Sequence, residues 1–316
     1  MLNISLEPRG EGAVATVRGL DLTQEVSEAD FGQMLRGLGE HGLLCIPGQD
    51  IGPRHLMDFS SRFGDLHWSS VNAHSVPGVP QVTVLSNIHV DGKPIGIQDA
   101  GQQWHTDMSY NKTLGFVNTL LARKVPMRDG KPLGTTMFAN TQAAYSDLPE
   151  EVKSRLASAT CIHSLAMYWD YMRNVKGSKR AAMTDEQKRR HPPVSHPVFL
   201  THPISGNKLI YVNPSFSQCI EGMSEEESAS TLAMLYEHVL LPKYRYKHEW
   251  RVGDLLVCDL IGTWHNAVPD YRPDEPRLLE RCQVIGNRIL DPQFVSAALA
   301  AAPSQARVAG SAQRAN

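Results

Sequence analysis

A change of hydrophobic period along the chain constrains its fold most. In the first third, apolar residues recur at intervals of three and four. Behind Ser27, an N-cap residue, Phe31, Met34, Leu35 and Leu38 share one helical face. Leu56, Phe59 and Phe63 repeat the spacing, with Pro53 in the first turn. The C-terminal third has a different texture. "YRYKHEWRVGDLLVCDLIGTWHNAV" and "RLLERCQVIGNRI" are strand-rich runs around a turn. "GLLCIPG" and "PQVTVLSN" read as further strands. A helix is expected over 148–159, and a capping box, Ser224-x-x-Glu227, opens another over 224–240. Helices in front, dispersed strands and a strand-rich end predict an α+β fold with a mainly antiparallel sheet.

The 316 residues suffice for one large domain, read here as 1–296. Residues 169–193 are polar with a basic excess and read as a surface excursion or lid. The tail 297–316 has small and polar residues and is predicted to be disordered. A net charge of −2 gives no electrostatic footprint for nucleic acid or an anionic membrane. No apolar run approaches the ~18 residues of a spanning helix, and the N-terminus lacks a secretory pattern. Five scattered cysteines without C-x-x-C fit a reduced, cytoplasmic protein. Gly-rich phosphate loops are absent.

The chemistry concentrates in "QQWHTDMSY", residues 102–110. On a strand, His105 and Asp107 would face the same side. His265, in "DLIGTWHNAVPDY", completes a two-histidine, one-carboxylate set. Such a triad suits non-haem Fe(II) with open coordination positions, and equally a catalytic zinc with a bound water. Arg277 and Arg281 lie four apart, on one side of a strand. Taken singly, each feature has a plainer reading: an incidental H-x-D pair, a solvated strand face, a strand threonine at Thr136. The ordered combination outweighs them. A zinc hydrolase and a non-catalytic acid-binding protein stay open on the triad alone.

"HGLLCIPGQ", "FGDLH", "SNIHVDGK", "WHTDMSY", "GTTMFANTQAAYSDLP", "WRVGDLLVCD" and "RLLERCQVIG", in this order over roughly residues 15 to 290, carry a resemblance. The chain resembles the 2-oxoglutarate-dependent taurine and 2,4-dichlorophenoxyacetate dioxygenases, the TauD/TfdA family. "LSNIHVDGKPIG" and "DEQKRRHPPVSHP" lean to the phenoxyacetate branch. The resemblance implies a double-stranded β-helix, or jelly roll, with flanking helices. It implies Fe(II), 2-oxoglutarate and O2, with His105, Asp107 and His265 as iron ligands. Arg277 and Thr136 would hold the distal carboxylate of 2-oxoglutarate, and Arg281 the anion of a small carboxylate or sulfonate substrate. Ser69, Met108, Tyr110 and Trp264 are further candidate substrate contacts. A homo-oligomer is also expected. The sequence departs from the family at Asp259-Leu260-Ile261, where "DNR" is common. It departs again at Glu280, where a histidine is usual, and at Ser69 and Gly101, which argue against taurine itself.

Overall fold

The computed structural model describes residues 4–9, 13–67, 74–178 and 180–302. Among these, the largest element is a nine-stranded sheet. From edge to edge it runs Ser5–Arg9, Val14–Arg18, Leu43–Ile46, Leu255–Asp259, Gly115–Lys124, Leu278–Ile285, Val79–Ser86 and Ser75–Val76. Leu66–His67 pairs beside Leu278–Ile285. The Val14–Arg18 and Leu43–Ile46 pair is parallel, and the other pairs are antiparallel.

Strand alternation gives this sheet two buried faces. Leu44, Ile46, Val117, Leu121, Leu255, Val257, Cys282 and Val284 point to one side. There they meet Phe31, Met34, Leu35 and Leu38 of helix Glu28–His41, and Leu56 and Phe59 of helix Pro53–Ser61. Leu43, Cys45, Leu120, Ala122, Leu256, Cys258 and Leu279 point to the other side, against Phe138 and Trp250. Phe138 belongs to a second, three-stranded sheet of Arg245–His248, Thr136–Asn140 and Thr263–Ala267. The two sheets form the expected jelly roll, its inner core between them and helices outside. Burial on both faces is why "LLCI" and "LLVC" are continuous apolar runs.

The helix boundaries follow local chemistry. Ser27 caps Glu28–His41 by accepting from the Asp30 N–H (3.1 Å). Gly42 ends it at φ 73°, a left-handed conformation that favours glycine, and a Cβ there would strike Thr263 Cγ2 at 2.6 Å. Ser224 caps Glu225–Val239 through the Glu227 N–H. A reciprocal capping box occurs at Thr184 and Gln187, within the polar excursion.

The excursion contains the end of helix Leu165–Asn174 and helix Asp185–Arg190. The expected tail boundary needs correction. Helix Pro292–Ala301 runs past residue 297 and packs on Glu28–His41. A Cβ on Gly32 would lie 2.2 Å from the Ala298 carbonyl, and Arg36 donates to the Leu299 carbonyl (2.9 Å). Small residues here allow close backbone approach where bulky side chains would have signalled a core. Residues 303–316 lie outside the described residues.

Candidate metal centre and chamber

His105 and His265 are brought together by their backbones. Each donates its N–H to the other's carbonyl (3.1 and 2.7 Å) in an isolated antiparallel bridge. His265 sits on strand Thr263–Ala267, but 102–110 is not the regular strand its alternation suggested. The bridge holds His105, and residues 107–110 form a turn in which Met108 has φ 65°. Gly115 packs against this turn; a Cβ there would lie 3.1 Å from Met108 Cβ. Bridge and turn together aim His105 and Asp107 at one point.

The Nε2 atoms of His105 and His265 lie 3.4 and 3.7 Å from the two oxygens of Asp107. One donor atom from each of the three residues lies within 4.8 Å of the other two, and all three are buried at the centre. His105 Nδ1 is 2.7 Å from the Gln103 carbonyl. That contact places the ring proton on Nδ1 and leaves the Nε2 lone pair facing Asp107. Burial, with His105 alongside, pushes the His265 imidazole down to about 3, so it is neutral at pH 7, as a ligand must be. Burial opposes charge on Asp107, yet the Arg281 guanidinium beside it holds its carboxyl well below the usual carboxylate range. Asn118 Nδ2 donates to Asp107 Oδ2 (2.6 Å). Two imidazoles and one oriented carboxylate fit a divalent cation.

The trio opens on a cavity of about 200 Å³. Arg277 and Thr136 line it, together with the aromatic residues Tyr110, Tyr168, Trp169 and Phe216. Arg277 is 8% exposed, and among the described residues it has no carboxylate partner. Its guanidinium lies 5.8 Å from the Tyr271 ring. Gly134, at φ 67°, leaves room for this side chain; a Cβ there would lie 2.9 Å from Arg277 Nε. Thr136 Oγ1 accepts from Trp250 Nε1 (3.0 Å), leaving its own proton free to donate. Arg281 reaches the same cavity, with Nη1 3.3 Å from Asp107 Oδ2. Glu280 points to the opposite face and pairs with Arg123 at 2.7 Å.

Not every expected site residue reaches the cavity. Trp264 neighbours His265 on a strand, so it faces the other side. It is buried in an apolar cluster, its ring 5.8 Å from Tyr236. Met108 is buried in the turn and does not line the cavity. Ser69 lies outside the described residues. Tyr110 lines the cavity, 4.8 Å from Phe216. The sequence reading missed Asn118, Phe216, Tyr168 and Arg180. Asn118 had a signal, as an amide inside the apolar run "GFVNTLLAR".

A second buried trio, Cys45, His248 and Asp254, also has metal-donor spacing. Arg9, Arg18 and Arg251 line the same pocket, and His248 already pairs with Asp254 at 3.2 Å. Burial pushes the Cys45 thiol up to about 11. A cationic rim and a protonated thiol oppose a cation there.

Residues 5–283 match the model of the taurine catabolism dioxygenase TauD, TfdA family. The chain belongs to this family, and with that membership it is a dioxygenase using Fe(II), 2-oxoglutarate and O2. It is 29% identical over 286 residues to an alpha-ketoglutarate-dependent 2,4-dichlorophenoxyacetate dioxygenase of Burkholderia sp. (strain RASC). That alignment covers 87% of this chain and 92% of the relative. It is 26% identical to a pentalenolactone F synthase of Streptomyces arenae, over 84% and 90% of the two chains. Among solved structures, AAD-2 in complex with Mn(II) and N-oxalylglycine superposes with a TM-score of 0.74 at 27% identity, over 90% of this chain and 98% of the other.

Proposed function

We propose that His105, Asp107 and His265 hold the iron, that Arg277 and Thr136 hold the far carboxylate of 2-oxoglutarate, and that the primary substrate is a small organic anion met by Arg281. One observation carries this reading. A buried guanidinium with no carboxylate at salt-bridge distance among the described residues lines the same small cavity as the His-Asp-His trio. A buried cation held only by the Tyr271 hydroxyl and the field of Asp270 is costly, and the carboxylate of a bound acid would offset that cost.

The protein's residues orient and select. Iron bound at the trio supplies oxygen activation and the oxidative decarboxylation of 2-oxoglutarate to succinate and CO2. Arg277 engages a carboxylate through two parallel N–H donors, and Thr136 adds its hydroxyl proton. Tyr110, Phe216 and Tyr168 wall the chamber and exclude water. Burial pushes the Tyr168 phenol up to about 12, so it stays neutral at working pH.

The charges support a monoanionic substrate. A divalent ion and a doubly charged cosubstrate cancel, Asp107 cancels one of Arg277 and Arg281, and one positive charge remains. The dichlorophenoxyacetate dioxygenase named above, and an alpha-ketoglutarate-dependent sulfate ester dioxygenase of Pseudomonas putida that is 27% identical over 90% of both chains, act on such acids by name. Hydroxylation of a carbon bearing an ether oxygen gives a hemiacetal-type product that breaks apart, so cleavage is the net outcome for aryloxy or sulfate ester substrates. The five free cysteines, four of them buried, support a reducing, cytoplasmic setting, and we take the protein as a homo-oligomer there.

Succinate release over a panel of aryloxyacetates, alkyl sulfates and alkylsulfonates tests the substrate class. Stimulation by acids and none by their neutral amides is expected. A neutral compound that works as well as its acid overturns the anion assignment.

A further inference from the structure

The polar excursion carries a charged residue with no place in the iron chemistry. Arg180 lines the chamber, together with Leu165, Tyr168 and Trp169 of the same segment. Its guanidinium lies 4.8 Å from the Trp169 ring and 5.8 Å from the Tyr168 ring. Nη2 is 2.9 Å from Asp99 Oδ2, and Nε donates to Ser178 Oγ at 3.1 Å. Ser178 Oγ also donates to Asp99 Oδ2 (2.5 Å). Asp99 comes from a separate stretch whose Ile97, Ala100 and Gly101 also line the chamber. One carboxylate therefore ties together two wall segments that are otherwise far apart in sequence.

The two segments differ in how they are anchored. Ile97 is held by backbone hydrogen bonds with Val84 and Ser86, next to the large sheet. Helix Leu165–Asn174 has one fully buried side chain, Met172. Such a helix has little packing of its own to fix its position. Tyr168 packs 5.0 Å from Phe216, which in turn lies 6.1 Å from the His105 ring. The position of this helix sets the shape of the apolar wall closest to the trio.

We propose that Arg180 is a specificity-determining positioning residue. Held against the Trp169 and Tyr168 rings and joined to Asp99 and Ser178, it fixes the Leu165–Trp169 wall against the 97–101 rim. It thereby selects substrates by their apolar body. The ion pair is 17% and 35% exposed at its two side chains, so it is neither fully screened nor stranded in the core. The rings restrict the guanidinium to one orientation, which a lysine would not reproduce. The inference rests on the dioxygenase reading for what the chamber binds, but the linkage itself can be tested without turnover.

Hydrogen exchange on the intact protein, loaded anaerobically with Fe(II) and 2-oxoglutarate, compares the parent with Asp99→Asn and Arg180→Gln. Each variant is expected to raise exchange in both 97–101 and 165–178 by about five- to thirtyfold, with Glu225–Val239 unchanged. The double variant Asp99→Asn/Arg180→Gln should raise exchange no further than the larger of the two single variants, because both break the same linkage. Exchange that rises only beside the substitution, or single effects that add in the double variant, overturns the proposal. Affinity for 2-oxoglutarate, read from the visible absorption of its Fe(II) chelate, should stay within about twofold in Arg180→Gln. A parent that never forms the chelate faults the dioxygenase reading instead, and the same exchange comparison on metal-free protein still decides the linkage. On the acid panel, Arg180→Gln should reduce discrimination between bulky and small apolar bodies through KM, with kcat little changed, and Arg180→Lys should restore it only in part. Unaltered discrimination in Arg180→Gln leaves Arg180 no role in specificity.

Discussion

Arg281 Nη1 stands 3.3 Å from Asp107 Oδ2, the carboxylate placed between the two histidines. The neighbouring acid, Glu280, is taken up by Arg123 on the other face of the strand and does not neutralise Arg281. Arg281→Gln is therefore expected to weaken the primary substrate far more than 2-oxoglutarate, with substrate-independent decarboxylation persisting. Separate titrations of the two acids check this. An equal loss for both would make Arg281 a structural support of the trio.

Arg277 predicts a different pattern. Arg277→Ala should raise the 2-oxoglutarate requirement with little change in metal affinity. Truncating one partner of a buried charge-assisted pair costs about 2–5 kcal/mol, or roughly 30-fold to several thousandfold in affinity. An unchanged 2-oxoglutarate dependence would remove Arg277 from the cosubstrate site.

Asn118 is tested by shape. Asn118→Leu keeps the branched shape but loses the 2.6 Å hydrogen bond that orients Asp107. Groups that orient a ligating carboxylate are typically worth about 10- to 100-fold in metal affinity. A Mn(II) titration should show a loss in that range. Parent-like affinity would mean that Asp107 needs no such support.

His163 gives a pH signature away from the chamber. Its ring is fully buried, both nitrogens lack a hydrogen-bond partner, and burial pushes its pKa down to about 3. The unfolded chain binds this proton near pH 6.5, whereas the folded chain resists it until about pH 3. This residue's contribution is therefore complete above pH 6.5 and is lost as pH falls towards 3. The slope is at most about 1.4 kcal/mol per pH unit. Denaturant titrations across that window should show a shallower acid limb for His163→Phe than for the parent. Parallel limbs would contradict this assignment.

The parts of the site legible in the sequence were those written as short local patterns. His105 and Asp107 are two apart, Arg277 and Arg281 four apart, and buried strands read as continuous apolar runs because both faces of the sheet are covered. What depended on contacts distant in sequence was not legible. Arg180 sits in a basic, polar run that looks solvated, and only the fold supplies Asp99 and the two aromatic rings. Trp264 looked like a site residue by adjacency, whereas strand alternation sends it into the second core cluster. Helix Pro292–Ala301 was masked by its small side chains, whose packing on Gly32 depends on their being small.

The central claim is that one chamber holds Fe(II) through His105, Asp107 and His265 and holds 2-oxoglutarate through Arg277. An anaerobic titration of Fe(II) and 2-oxoglutarate, followed by visible absorption, tests it most directly. The parent should develop a charge-transfer band that neither reagent produces alone. His105→Ala and His265→Ala should lose it while remaining folded by circular dichroism, and Arg277→Ala should need far more 2-oxoglutarate to reach it. A folded parent without the band, or a His265→Ala variant that keeps it at the same 2-oxoglutarate concentration, would contradict the account.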